Sequence, residues 1–194
     1  MATNRRMGQK GSAVGSAMLD AAETILREEG YGALTSRRVA ELTGVKQRLV
    51  YYYFATMDEL IVDTFRRLSV RELERLGGAL GGERPLREVW DVCIHTGDSR
   101  MIAEFMALAH RNAGLRAEVI AFIEQSRRMQ VAALERAMTA AGKGTPALPP
   151  VAAAILASSA ALAVLREAAI GVEMGHAELL DVIGSFIGRL EPGG

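Results

Sequence analysis

The sequence predicts an all-α protein, and three observations carry that prediction. Alanine, the strongest helix former, occurs 31 times in 194 residues. Apolar residues recur at helical spacing along nearly the whole chain, with no β-branched alternation to signal a strand. The five prolines fall mostly at breaks between these periodic stretches rather than inside them.

The elements follow in order. A first helix is expected over 13–29, with Leu19, Ala22, Ile25 and Leu26 on one face and Gly30 stopping it. Thr35 is placed to N-cap a short second helix that ends near Thr43, before Gly44. A third short helix is expected from Lys46 to Tyr53. A long fourth begins at Thr56, where Glu59 three residues on completes a capping box, and turns Leu60, Ile61, Thr64, Phe65 and Leu68 inward. Gly77-Gly78 and Gly81-Gly82 read as a loop. Pro85 opens a helix through Trp90 to about His95. Ser99 starts another that ends near Asn112-Ala113-Gly114. The longest helix is expected over 115–141, with Val119, Phe122, Ile123, Met129, Leu134 and Met138 inward. Gly142 to Pro150 is a linker, and two last helices are expected over 151–172 and 176–190, parted by Gly175.

Composition excludes several classes. With 49% hydrophobic residues the chain can bury a core, which argues against wholesale disorder. The lone cysteine, Cys93, cannot form an internal disulfide. The basic start MATNRRMGQKG lacks the apolar stretch of a signal peptide. The longest apolar run, 151–165, is shorter than the roughly 18–20 residues of a membrane span. A cytoplasmic location without a membrane partner is the expectation. Formal net charge is zero, but its distribution is uneven. Residues 1–54 hold eight basic and five acidic side chains, a net +3, and the remainder holds 15 basic and 18 acidic, a net −3.

The segment from Thr35 to Phe54, TSRRVAELTGVKQRLVYYYF, has the spacing of a helix-turn-helix. Val39, Ala40, Val45 and Val50 supply a small core, and Gly44 takes the tight turn. In such a unit the first helix braces the second, whose exposed side chains enter the major groove of DNA. Lys46, Gln47 and Arg48 stand at the start of that second helix, followed by Tyr51, Tyr52 and Tyr53. Outside this segment there is no metal-ligand spacing, no Gly-rich phosphate loop and no nucleophile elbow. Cys93 and His95 lie two apart, which points them in different directions on a helix. No cofactor and no enzyme activity are expected.

Three stretches, LDAAETILREEGY, LTSRRVAELTGV and LVYYYFATMDEL, together spanning Met18 to Leu60, resemble the TetR family of bacterial transcriptional regulators. The resemblance implies a DNA-binding domain over 1–54, with 1–12 as a flexible arm, and a helical regulatory and dimerisation domain over 55–194. By position in the motif, Thr35 and Ser36 would meet phosphate through backbone N–H and hydroxyl groups, with Arg37 beside them. Lys46, Gln47 and Arg48 fall where family members read bases, Arg favouring guanine and Gln adenine. Leu49 and Tyr52 would touch a thymine methyl or the sugar-phosphate edge, and Tyr51 and Tyr53 would position the backbone. Arg48 replaces the small residue usual in the family, and Met57 stands where a phosphate-binding lysine is usual. Arg5, Arg6 and Lys10 are candidates for a minor-groove arm, with a disordered tail the favoured expectation.

The same resemblance implies a small-molecule site and a dimer interface in the larger domain. Trp90, Cys93, Met101, Phe105, Met106, Phe122 and Met129 are the expected soft, apolar walls of a site for a hydrophobic effector. Val151, Ile155, Ser158, Leu162 and Leu165 recur at four- and three-residue steps, a helix-packing seam. Val182 and Phe186 add a second apolar face, so these seven residues form the expected homodimer interface. The expected function is a ligand-responsive repressor binding a pseudo-palindromic operator. The alternatives are a regulator with a solid core and no ligand, or a helical enzyme dependent on Cys93.

Overall fold

The computed structural model describes residues 11–95, 99–141 and 148–191. The expected arm residues Arg5, Arg6 and Lys10, and most of the 142–150 linker, lie outside them. Among the described residues there are nine α-helices and no strand: α1 (Ala13–Glu28), α2 (Ser36–Thr43), α3 (Gln47–Tyr53), α4 (Met57–Leu80), α5 (Pro85–Ile94), α6 (Ser99–Ala109), α7 (Ala113–Ala140), α8 (Pro150–Ala168) and α9 (His176–Leu190). The chain divides into two compact units, residues 1–69 with 100–119, and residues 70–99 with 120–194.

Helix ends follow local chemistry. Ser12 caps α1 by accepting from the Gly15 amide, and the Thr35 hydroxyl accepts from the Arg38 amide at 3.2 Å to start α2. Gly44 ends α2 at φ +66, a left-handed conformation natural to glycine, and the Val45 amide returns to the Ala40 carbonyl at 3.0 Å. At the start of α4 the Glu59 amide donates to Thr56 Oγ1 at 3.1 Å, while the Glu59 carboxylate accepts from the Ala55 amide at 2.7 Å. The capping box therefore reaches one residue further upstream than its usual form.

Two expectations about helix ends are corrected. Gly77 and Gly78 do not form a loop: α4 runs through them to Leu80. Buried Leu76 and Ala79 on the same turn hold the helix, and tertiary burial outweighs the roughly 1 kcal/mol helix penalty of a glycine. Asn112 does not end a helix but begins one. Its Oδ1 accepts from the Leu115 amide at 2.9 Å, so α7 starts at Ala113.

In the first unit, Met18, Ile25, Leu26, Val39, Val50, Phe54, Leu60, Leu68, Met101, Phe105 and Leu115 are almost wholly buried. Phe65 meets Phe105 edge to face, with centroids 5.1 Å apart. Arg67 of α4 donates through Nε to Glu23 of α1 at 2.8 Å, which satisfies a buried carboxylate. Arg66 pairs with Glu118 at 2.7 Å, and that hydrogen bond raises the guanidinium pKa further.

In the second unit one cluster gathers Leu86, Trp90, Ala133, Leu134, Met138, Ala153, Ala154, Ala161 and Ile187. A smaller one joins Leu76, Ala79 and Val89 with Met129 against it. Helix α8 turns its alanines toward this core and leaves Val151, Ile155, Leu156 and Leu162 exposed. At 19 residues α8 is also the one described helix long and apolar enough to cross a membrane by length and composition alone, with little of it buried.

Candidate nucleic-acid interface and helical cavity

The local sequence builds α2 and α3 as a braced pair. Val39 and Ala40 of α2 and Val50 of α3 are buried, and the Gly44 turn sets the second helix against the first. This leaves Lys46, Gln47, Arg48 and Tyr52 exposed along one helix, with Leu49 and Tyr53 half-buried. Tyr52 and Tyr53 meet edge to face at 5.4 Å. The arrangement presents cations, an amide and aromatic rings from a short rigid helix, which is what reading a groove requires.

The residues at the start of α2 divide. Thr35 is exposed, its hydroxyl oxygen already accepting from Arg38. The Arg37 side chain is largely exposed and pairs with Glu41 at 2.9 Å, a surface contact weak enough to be exchanged for a phosphate. Arg38 turns away to Glu29 at 2.8 Å, and hydrogen bonding to that carboxylate raises its pKa. Ser36 is only 5% exposed. Its Oγ donates to the Tyr51 hydroxyl at 3.1 Å and accepts from Gln47 Nε2 at 2.8 Å. The expectation of a Ser36 hydroxyl on phosphate therefore needs correction: its single proton is already spent inside the protein. Sequence reading missed this because Ser36 lies on α2 while Gln47 and Tyr51 lie on α3.

The second unit contains a cavity of about 630 Å³, within the range of small-molecule sites. Leu86, Trp90 and Cys93 of α5 and Gln130 and Leu134 of α7 form one wall; α8 and α9 form the other. Its surface is overwhelmingly apolar. Ser158 Oγ lies 3.0 Å from Gln130 Oε1 and 2.7 Å from the Ala154 carbonyl, the one described polar pair joining the two walls. Burial, with a smaller contribution from Glu72, pushes the Cys93 thiol up to about 11, so it stays protonated near neutrality and is a poor nucleophile. His95 bonds the carbonyl of Asp91 on its own helix. Among the described residues no cluster of metal-ligating side chains occurs.

The residues expected to line a site scatter. Trp90 and Cys93 do line the cavity. Met101 and Phe105 are instead buried in the first unit, because α6 packs there. Met106 is exposed, Phe122 is half-buried outside the lining, and Met129 packs on the smaller cluster. Of the seam residues, Val151, Ile155 and Leu162 are exposed and Leu165 half-buried. Ser158, Val182 and Phe186 contribute to the cavity wall as well.

Comparison with known proteins places this geometry. Residues 18–64 match the family model of bacterial regulatory proteins of the tetR family. No curated protein matches the sequence. Among solved structures, a transcriptional regulator from Rhodococcus sp. Rha1 superposes with a TM-score of 0.73 at 22% identity, over 92% of this chain and 97% of that one. A TetR transcription regulator from Haloarcula marismortui gives 0.72 at 18% identity, over 90% and 94%. A protein from Saccharomonospora viridis, solved in complex with choline, gives 0.74 at 14% identity, over 89% and 94%. At these identities the neighbours speak to the fold, and the matched segment covers the whole braced helix pair with parts of the helices on either side. Residues 18–64 thus match the helix-turn-helix segment of bacterial regulatory proteins of the tetR family, within an all-helical chain whose fold those solved transcriptional regulators share.

Proposed function

We propose that the protein is a homodimeric repressor that binds a pseudo-palindromic operator and releases it when an uncharged apolar effector occupies the helical cavity. The observation that carries this reading is the exposed face of α3, where Lys46, Gln47, Arg48 and Tyr52 stand uncovered among the described residues on a braced helix. Residues 1–54 take the DNA-facing role and 55–194 the regulatory one. Two copies of α3 would read successive major grooves about 34 Å apart. Occupying an operator is enough to obstruct transcription and needs no further contact, which favours repression over activation.

The exposed Val151, Ile155, Leu156 and Leu162 of α8 and Val182 of α9 support a dimer. Apolar side chains left exposed on two helices are stabilised by burial against a second copy. The same surface explains the span-like length of α8 without a membrane, and a cytoplasmic location accords with a DNA partner.

A cavity of about 630 Å³ favours a ligand-responsive protein over one with a solid core. Among the described residues its lining has no carboxylate, and Arg189 is the one formally charged side chain there. A quaternary ammonium such as the choline bound by the Saccharomonospora viridis neighbour would find no counter-charge here. An uncharged, largely apolar molecule matches the lining. Coupling of ~1–3 kcal/mol between effector and operator is the usual scale for such control.

The test is a mobility-shift and footprinting experiment with the DNA upstream of the protein's own gene. Arg48→Ala should weaken specific binding by about 1–3 kcal/mol and relax preference at one base pair. An identical footprint with unchanged affinity would remove Arg48 as a reader, and no salt-dependent DNA binding at all would overturn the function.

A further inference from the structure

The hydroxyl of Ser36 sits at the centre of a short directed chain. Gln47 Nε2 donates to Ser36 Oγ at 2.8 Å, and Ser36 Oγ donates to the Tyr51 hydroxyl at 3.1 Å. Ser36 is buried, whereas Gln47 and Tyr51 are exposed, the latter 49%. The serine thus lies behind the two side chains rather than among the groups that can touch a ligand.

The consequence for Gln47 follows from its hydrogen-bond inventory. A carboxamide has two N–H donors and one carbonyl acceptor, and it can present either orientation when unrestrained. With one N–H held by Ser36, what remains is one donor beside one acceptor in a fixed order. Adenine offers the complementary pair on its major-groove edge, N7 as acceptor and N6–H as donor. Guanine offers two acceptors, N7 and O6, so a fixed carboxamide would set its own oxygen against O6. A freely turning amide would avoid that repulsion by rotating its nitrogen toward guanine. Holding the amide in one orientation is therefore a source of discrimination separate from making the contact.

From this geometry we infer that Ser36 is a positioning residue for base selection: it fixes the carboxamide of Gln47 so that the α3 helix prefers adenine over guanine at one operator position. The inference rests on the proposed operator-binding function. The same chain also directs the Tyr51 proton. Because the Tyr51 oxygen accepts from Ser36, its own O–H points to an outside acceptor, and an acceptor-only phosphate oxygen suits it. Ser36 and Tyr51 consequently have different expected signatures, one in base preference and one in overall affinity.

The experiment is selection of bound duplexes from a randomised DNA library by the full-length protein and its variants, read as base frequencies at each position. The wild type should enrich adenine at one position of each half-site, and Gln47→Ala should erase that preference alone. Ser36→Ala should reduce the adenine-to-guanine ratio at that position by roughly five- to tenfold while leaving the other positions unchanged. Ser36→Thr, which keeps the hydroxyl, should restore it, and Tyr51→Phe should weaken binding across all sequences with the profile intact. If Ser36→Ala fails to fold by circular dichroism, Ser36→Cys, whose sulfur is a weak acceptor, gives the same reading. A Ser36→Ala profile equal to the wild type, or a Gln47→Ala profile that keeps the adenine, overturns the inference. A wild-type protein that selects no sequence would instead overturn operator binding itself, so the two failures are distinguishable.

Discussion

The two compact units of this chain solve opposite problems with the same secondary structure. In the first unit Phe54, Phe105 and Met18 are almost wholly buried and several polar groups are paired: Arg67 to Glu23, Arg66 to Glu118, Gln47 to Ser36 and Ser36 to Tyr51. The second unit keeps a partly open apolar cavity of about 630 Å³ between its helices, and much of the apolar surface of α8 is exposed. A reading surface gains selectivity when its side chains are held in place, because each restrained rotamer leaves fewer ways to accept a wrong base. A regulatory unit needs room for a ligand and a surface for a partner, and both require leaving apolar groups incompletely packed. The difference lies in how completely each helix is covered.

That contrast can be broken most forcefully at Phe54, which is 1% exposed in the first unit. Phe54→Ala should cost about 3–5 kcal/mol in urea-induced unfolding, the range of a large cavity in a close-packed core. A cost below about 1 kcal/mol would mean that the head is as loosely packed as the second unit. The uncovered face is probed by Leu162→Glu on α8, where the leucine is 41% exposed and does not line the cavity. Placing two unpaired carboxylates in a dimer interface should cost ~3 kcal/mol or more, about a hundredfold or more in the dissociation constant by analytical ultracentrifugation. Circular dichroism should stay unchanged, and an unaltered dimer would move the interface elsewhere.

The smallest effect is on the Cys93 thiol. Its pKa, pushed from 9.0 up to about 11, lowers the thiolate fraction at any pH below that range. Reaction with a thiol reagent should be slow at pH 8 and climb through pH 11, instead of levelling near pH 9 as for an unburied thiol. A ligand filling the cavity should slow it further. Rapid labelling at neutral pH would show that the wall around Cys93 opens to water more than its packing implies.

Much of the fold was legible because the interactions that end and begin helices are local. The Thr35 cap, the Gly44 turn and the Thr56–Glu59 box all act within about four residues, and each forms a hydrogen bond near where the pattern placed it. The failures share a cause. Gly77 and Gly78 looked like a loop because glycine is a poor helix former, yet buried Leu76 and Ala79 kept α4 intact. Met101 and Phe105 looked like pocket walls because they are large and soft, yet α6 packs in the first unit.

By itself the sequence determined the helical class, the order of the helices and the residues that stand on the α3 surface, since periodicity and caps are properties of neighbours along the chain. Only the tertiary structure decided which face of α8 turns inward, where the cavity opens between residues from 86 to 189, and that Ser36 lies behind Gln47. Those outcomes depend on side chains far apart in sequence meeting at a distance of a few ångströms. Helical spacing specifies which residues share a face, but not what that face will meet.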